Sequence, residues 1–128
     1  MKRVLVDTSG WISFFRGEPQ SKPLKELIEY NLLCTNNLIL AELIPSLLAR
    51  NEREVVSLLE SIYLLDLNIN WKEIVTFQVK NLQNGVNKVG IPDLIILQNA
   101  LQYRVPIFTL DKHFREMAAL FPVTLYTI

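Results

Sequence analysis

The sequence predicts an α/β fold: one three-layer domain over residues 1–128, with a mainly parallel sheet of about five strands flanked by helices. Three observations predict it. Short apolar or β-branched runs alternate with longer segments of helical periodicity along the chain. Half of the residues are hydrophobic and the mean hydropathy is +0.23, so either both faces of the sheet are covered or apolar surface meets a partner. A chain of 128 residues suits one domain with one real core, and no repeat, low-complexity tract or linker divides it.

Each element has its own local reason. Arg3 to Val6 reads as a buried strand ending at Asp7. Ser9 is placed to cap the helix that carries Trp11, Ile12, Phe14 and Phe15. Gly17, Pro19 and Pro23 mark a loop, after which Leu24, Leu27, Ile28 and Leu32 follow helical spacing. Leu32 to Thr35 forms a second strand, and Asn36 or Asn37 caps the next helix. In that helix Glu42 interrupts an apolar run, and Pro45 removes a backbone hydrogen bond, which predicts a kink. Glu42 has apolar neighbours at helical spacing, which places it at the edge of the core. Asn51 to Ile62 is amphipathic, with Val55, Val56, Leu58 and Leu59 inward.

Tyr63 to Leu67 is a third strand. Asn68 or Asn70 caps a helix reaching towards Asn84, with Trp71, Ile74, Val75, Phe77 and Leu82 as its apolar positions. Gly85 to Val89 is loop-like. The next helix runs towards Arg104. Pro92 suits its first position, and Asp93 its first turn, where the helix dipole favours a negative charge. This helix is apolar nearly all round, which predicts burial by the sheet on one side and by a dimer partner on the other. Pro106 to Leu110 is a fourth strand ending at Asp111, Phe114 to Phe121 a short helix, and Val123 to Tyr126 a last strand.

Composition excludes several classes. Cys34 is the only cysteine, so there is no intramolecular disulfide and no zinc-ligand pattern; it reads as a small buried apolar residue. The N-terminal apolar run is broken by Asp7 and is too short for a signal peptide, and no run is long enough to span a membrane. The expectation is a cytoplasmic protein. With 13 basic and 13 acidic residues there is no overall basic field. No glycine-rich phosphate loop follows a strand, which argues against a nucleotide-binding domain.

Four acids carry the functional argument. In open parallel sheets, ligands bind beyond the carboxyl ends of the strands. Asp7 and Asp111 each follow a predicted strand, and Glu42 and Asp93 lie near the starts of helices that begin on the same rim. Two carboxylates about 4 Å apart repel by about 4 kcal/mol at an effective dielectric near 20, so a converged set shares protons or binds a cation. Oxygen-only ligands suit Mg²⁺ or Mn²⁺, and such an ion activates water and stabilises a phosphoryl transition state. The chemistry that follows is phosphodiester hydrolysis without a catalytic histidine.

The residues that carry this argument resemble those of the PIN domains, and among them the small VapC-type ribonuclease toxins. The matching blocks are Val6-Asp7-Thr8-Ser9 with Trp11-Ile12, Ala41-Glu42-Leu43, Pro92-Asp93 with Ile96 and Ala100, and Thr109-Leu110-Asp111 with Phe114. They occur in the family's order, and the resemblance covers essentially the whole chain. It implies that Asp7, Glu42, Asp93 and Asp111 form the site of a Mg²⁺- or Mn²⁺-dependent endoribonuclease, with Thr8 or Ser9 as a supporting hydroxyl. It also implies a homodimer and inhibition by a cognate antitoxin. Two features depart from the family's pattern: Leu97 and Gln98 stand where many relatives have small residues, and Asp111 is the only acid of its block, which favours one metal over two.

Arg16, Lys88, Lys112 and Arg115 are the basic residues expected nearest the acidic rim, where they would hold RNA phosphates. Two other readings compete. One is a non-catalytic interaction module on the same fold, which a complete acidic set argues against. The other is a phosphatase with an aspartate nucleophile; such enzymes carry a second Asp two residues after the first, where this chain has Ser9.

Overall fold

A computed structural model describes residues 3–126. Four short strands, β1 (Val4–Val6), β2 (Leu33–Thr35), β3 (Tyr63–Leu64) and β4 (Ile107–Phe108), form one sheet in the order β3-β2-β1-β4. Every pairing is parallel, with Leu5 beside both Cys34 and Ile107 and Cys34 beside Tyr63. β1 is central and fully buried, which explains its unbroken apolar run. The predicted fifth strand at Val123 to Tyr126 shrinks to one parallel bridge between Ile107 and Leu125. It is held by Ile107 N–H donating to Thr124 O (2.9 Å) and Tyr126 N–H to Ile107 O (2.8 Å). β4 is only two residues long and offers no further ladder.

Seven helices flank the sheet among the described residues: α1 (Thr8–Phe15), α2 (Pro23–Glu29), α3 (Asn37–Ala49), α4 (Arg53–Ser61), α5 (Trp71–Gln83), α6 (Ile91–Tyr103) and α7 (Lys112–Ala118). The predicted loop after α1 contains a 3₁₀ turn at Pro19–Ser21. Asn36 caps α3 by accepting from Ile39 N–H, and Asn70 caps α5 by accepting from Glu73 N–H. The cap of α1 is Asp7 and not Ser9: the Asp7 carboxylate accepts from Gly10 N–H, and Ser9 falls inside the first turn. α1 lies close on the sheet because residue 10 is glycine; a Cβ there would sit 2.8 Å from Val6 Cγ1 and 2.9 Å from Phe108 Cδ1. α3 continues through Pro45 to Ala49.

Two helices depart from expectation in opposite directions. α6 buries every residue from Leu94 to Ala100 within a single chain, so its all-round apolar character requires no partner. Gln98 and Asn99 are buried with it because they are satisfied. Gln98 accepts from Asn70 N–H and donates to Asn70 O and Glu73, and Asn99 accepts from Asn36 and donates to Asp66 O. α5 buries Ile74 and Asn81 but leaves Trp71, Val75, Val79 and Leu82 exposed. No helix among the described residues is long and apolar enough to cross a membrane.

Candidate functional site

The strand order places a topological switch at β1. The chain winds outward from β1 through β2 to β3, then returns to add β4 on the other side. A crevice at the carboxyl ends of β1 and β4 is where such sheets bind ligands. Asp7 directly follows β1 and Asp111 is the third residue after β4, so both stand at this crevice.

Asp7 is 3% exposed, and both of its carboxylate oxygens are engaged by the protein. Oδ1 accepts from Ser9 Oγ (2.7 Å) and Gly10 N–H (2.9 Å), and Oδ2 accepts from Thr109 Oγ1. The same hydroxyls bind the β4–α7 loop: Ser9 Oγ accepts from Leu110 N–H (3.0 Å) and Thr109 Oγ1 from Asp111 N–H (3.0 Å). Burial raises the Asp7 pKa above the usual carboxylate value, the three hydrogen bonds pull it back, and Asp111 adds a smaller upward push. Burial wins.

Asp93, the third residue of α6, is half-buried. Its pKa is pushed up to about 6, first by burial and then by the charges of Asp111, Asp7 and Glu42, against a backbone hydrogen bond from Gly90. That three carboxylates from three other segments act on it places all four acids in one field. Asp111 caps α7, its Oδ1 accepting from His113 N–H at 2.9 Å. Glu42 is more exposed than its apolar neighbours predict: it projects from the outer side of α3, and Thr8 Oγ1 donates to its Oε1 at 2.7 Å. Thr8 and Ser9 thus each support a different acid.

Sequence reasoning assigned no separate role to Thr109. The signal was available in the register: β4 pairs Phe108 with Val6, so the next residues along, Thr109 and Asp7, stand side by side. The four basic candidates are all exposed. Lys112 and Arg115 lie on α7 beside Asp111, Lys88 lies in the loop before α6, and Arg16 closes α1 and lines a depression that also contains Glu42. Cys34 lies buried on β2, its thiol pushed up to about 12 by burial, and is unreactive there.

The donor set suits a hard divalent cation. It contains only carboxylate and hydroxyl oxygens, and the mutual repulsion recorded at Asp93 is relieved by positive charge. Among the described residues no group of three or more acidic, histidine or cysteine side chains is placed to hold a metal ion. Mg²⁺ does not need one, since it keeps several waters and takes one or two carboxylates directly.

A parallel sheet with carboxylates gathered at its switch point defines a class of α/β proteins with an acidic site. The chain belongs to the PIN domain family, whose model matches residues 4–120. Solved structures with the same fold include a DNA-bound VapBC from Salmonella typhimurium, at 18% identity and a TM-score of 0.73 with 98% of each chain covered. A toxin–antitoxin complex from Klebsiella pneumoniae matches at 21% identity and 0.67, over 98% of this chain and 99% of that one. FitAcB from Neisseria gonorrhoeae matches at 18% and 0.67, over 97% and 96%. No curated protein sequence matches.

Proposed function

We propose that this chain is, as one PIN-like domain, a Mg²⁺- or Mn²⁺-dependent endoribonuclease, and the toxin of a type II toxin–antitoxin pair acting in the cytoplasm. The observation that supports the reading is that Asp111, Asp7 and Glu42 all add to the upward push that burial exerts on the pKa of Asp93. Structural kinship with VapBC and another toxin–antitoxin complex supports the toxin assignment and a protein antitoxin as partner.

Asp7, Glu42, Asp93 and Asp111 would make up the cation site, one or two of them binding directly and the others through water, with Asp7 as its buried member. A bound cation supplies Lewis-acid activation of water and stabilises the developing charge on a phosphodiester. The chain's residues do the rest. Ser9 and Thr109 fix both Asp7 oxygens, and Thr8 fixes one Glu42 oxygen, so the carboxylates are oriented before substrate arrives. Asp93 sits in the first turn of α6, on the most deeply buried helix of the fold, which limits its freedom to move. Lys112 and Arg115, on the helix that Asp111 caps, and Lys88 before α6 would neutralise RNA phosphates and make binding salt-dependent.

The test is cleavage of total cellular RNA with Mn²⁺ or Mg²⁺, with EDTA, and with Asp93→Asn. Discrete cuts that need metal and vanish in the variant are expected. Equal inactivity of both proteins, with no metal-dependent rise in melting temperature, would leave an interaction module instead.

The exposed face of α5 supports the homodimer. Trp71, Val75, Val79 and Leu82 follow one another at four-, four- and three-residue steps, so they form a single apolar stripe. No charged residue interrupts it. A second copy related by a two-fold axis would set Trp71 near Leu82 and Val75 near Val79, the self-complementary pattern of an isologous contact. Val75→Glu is expected to convert dimer to monomer in light scattering while leaving the fold intact, because Val75 is 63% exposed. A monomeric wild-type chain would remove the dimer from the reading.

A further inference from the structure

Between α1 and α3, beside Glu42, lies a depression of about 250 Å³. Its floor is apolar, formed by Ile12, Phe15, Leu43 and Leu47, and Arg16 and Arg50 stand at its rim. The space is smaller than the ~300–1,000 Å³ of pockets that enclose drug-sized ligands, and a single planar group is of the size to fill it. Phe15 is half-buried and braced from behind: its ring stacks on the fully buried Trp11 at 5.7 Å between centroids and 26° between planes. An aromatic ring fixed on one face and open to a cleft is what a nucleobase stacks on.

The charges fit the same ligand. Arg50 meets Glu52 at 3.5 Å, an exposed pair of little strength that leaves the guanidinium available to a phosphate. Arg16 makes no side-chain ion pair among the described residues. Glu42 is the one acid shared with the carboxylate cluster, and once a cation engages it the balance of the depression turns positive.

We propose that this depression is a one-nucleotide subsite for single-stranded RNA, next to the scissile phosphate. The base stacks over Phe15 on the apolar floor, and Arg16 and Arg50 hold the flanking phosphates. The inference rests on the nuclease reading and adds to it the form of the substrate: a strand with an unpaired base beside the cut, since a paired base could not enter.

The test is binding of a fluorescent single-stranded oligoribonucleotide in Mg²⁺, followed by anisotropy across a salt series. The Asp93→Asn chain serves as parent, so that nothing is cut. Adding Arg16→Ala and Arg50→Ala, both at exposed positions, is expected to weaken binding about tenfold or more and to reduce the salt slope by about 1.4, the value for two phosphate contacts on a single strand. Ser46→Glu, an exposed position on the same wall, is expected to weaken binding by adding negative charge. The same RNA annealed into a duplex is expected to bind less tightly to the parent, and the Arg substitutions to matter less there.

Unchanged affinity and slope in the Arg double variant, with wild type still cutting RNA, would overturn the subsite alone and leave the depression to a protein partner. No binding by the parent together with no cleavage by wild type would overturn the nuclease reading and the subsite with it.

Discussion

At the β1 end of the acidic rim, a buried carboxylate is held by two hydroxyls and a backbone amide; at the α6 end, a half-buried carboxylate faces three others. Asp7 and Asp93 both have raised pKa values and burial is the first cause in each, but what opposes burial differs. Around Asp7 the chain supplies three donors, so the charge is compensated by the fold. Around Asp93 it supplies one backbone hydrogen bond and adds like charges, so the charge is left for something else to compensate. The β1 end carries a carboxylate compensated by the fold, and the α6 end one that the fold leaves repelled.

Removing each acid tests that contrast most severely. Asp7→Ala and Asp93→Asn are both expected to reduce RNA cleavage by about a hundredfold or more, the scale of losing one electrostatic contributor to a transition state. Their stabilities are expected to move in opposite directions. Asp7→Ala removes the α1 cap and leaves the Ser9 and Thr109 hydroxyls short of an acceptor, a loss of about 2 kcal/mol in urea denaturation. Asp93→Asn keeps an acceptor for the Gly90 amide while deleting a repelled charge, and without divalent metal it raises stability at pH 7. If both variants destabilise equally, the two ends do not differ in the way described.

Thr109 sharpens the comparison further. Its hydroxyl donates to Asp7 and accepts from Asp111 N–H, so it ties the compensated acid to the loop that carries Asp111. Thr109→Val is expected to weaken Mn²⁺ binding by about tenfold, within the range for groups that orient metal-binding carboxylates. Thr109→Ser is expected to restore it. Calorimetry decides the matter, and unchanged Mn²⁺ affinity in Thr109→Val would reduce the hydroxyl to a packing role.

These two ends also differ in how legible they were in the sequence. The parallel α/β fold and the order of its elements follow from alternation, and the placing of acids after strands or early in helices points to one shared rim. The partners of Asp7 were less legible. Ser9 sits two residues from Asp7 and invites reading as the helix cap, yet a carboxylate one position outside the helix accepts from Gly10 N–H better than a hydroxyl inside it. Thr109 lies 102 residues from Asp7 and becomes its neighbour only through β1–β4 pairing. The helices misled for a related reason. Periodicity identifies an apolar face but not what covers it. The uniform α6 is enclosed by its own chain, while α5, which reads as an ordinary core helix, points Trp71, Val75 and Leu82 outward. Glu42 shows the converse, an acid in an apolar run that sits on the outer side of its helix.

The smallest effect expected is in the pH dependence, and its sign distinguishes a repelled carboxylate from a stabilised one. Asp93 titrates near 6 in the folded chain against 3.8 as the ordinary value, so the folded state binds its proton more tightly than the unfolded state does. The stability this contributes is fully present below about pH 4 and is lost as pH rises through 6. Partial exposure to solvent reduces the loss to about 1–2 kcal/mol, a few degrees in melting temperature for a chain of this size. Buried Asp7, also raised, acts in the same direction. A divalent cation replaces the proton, so the rise in melting temperature with Mn²⁺ is expected to be larger at pH 7 than at pH 5, and Asp93→Asn to flatten that difference. An Mn²⁺ shift of equal size at both pH values in the wild-type chain would mean that Asp93 does not share its site with the ion.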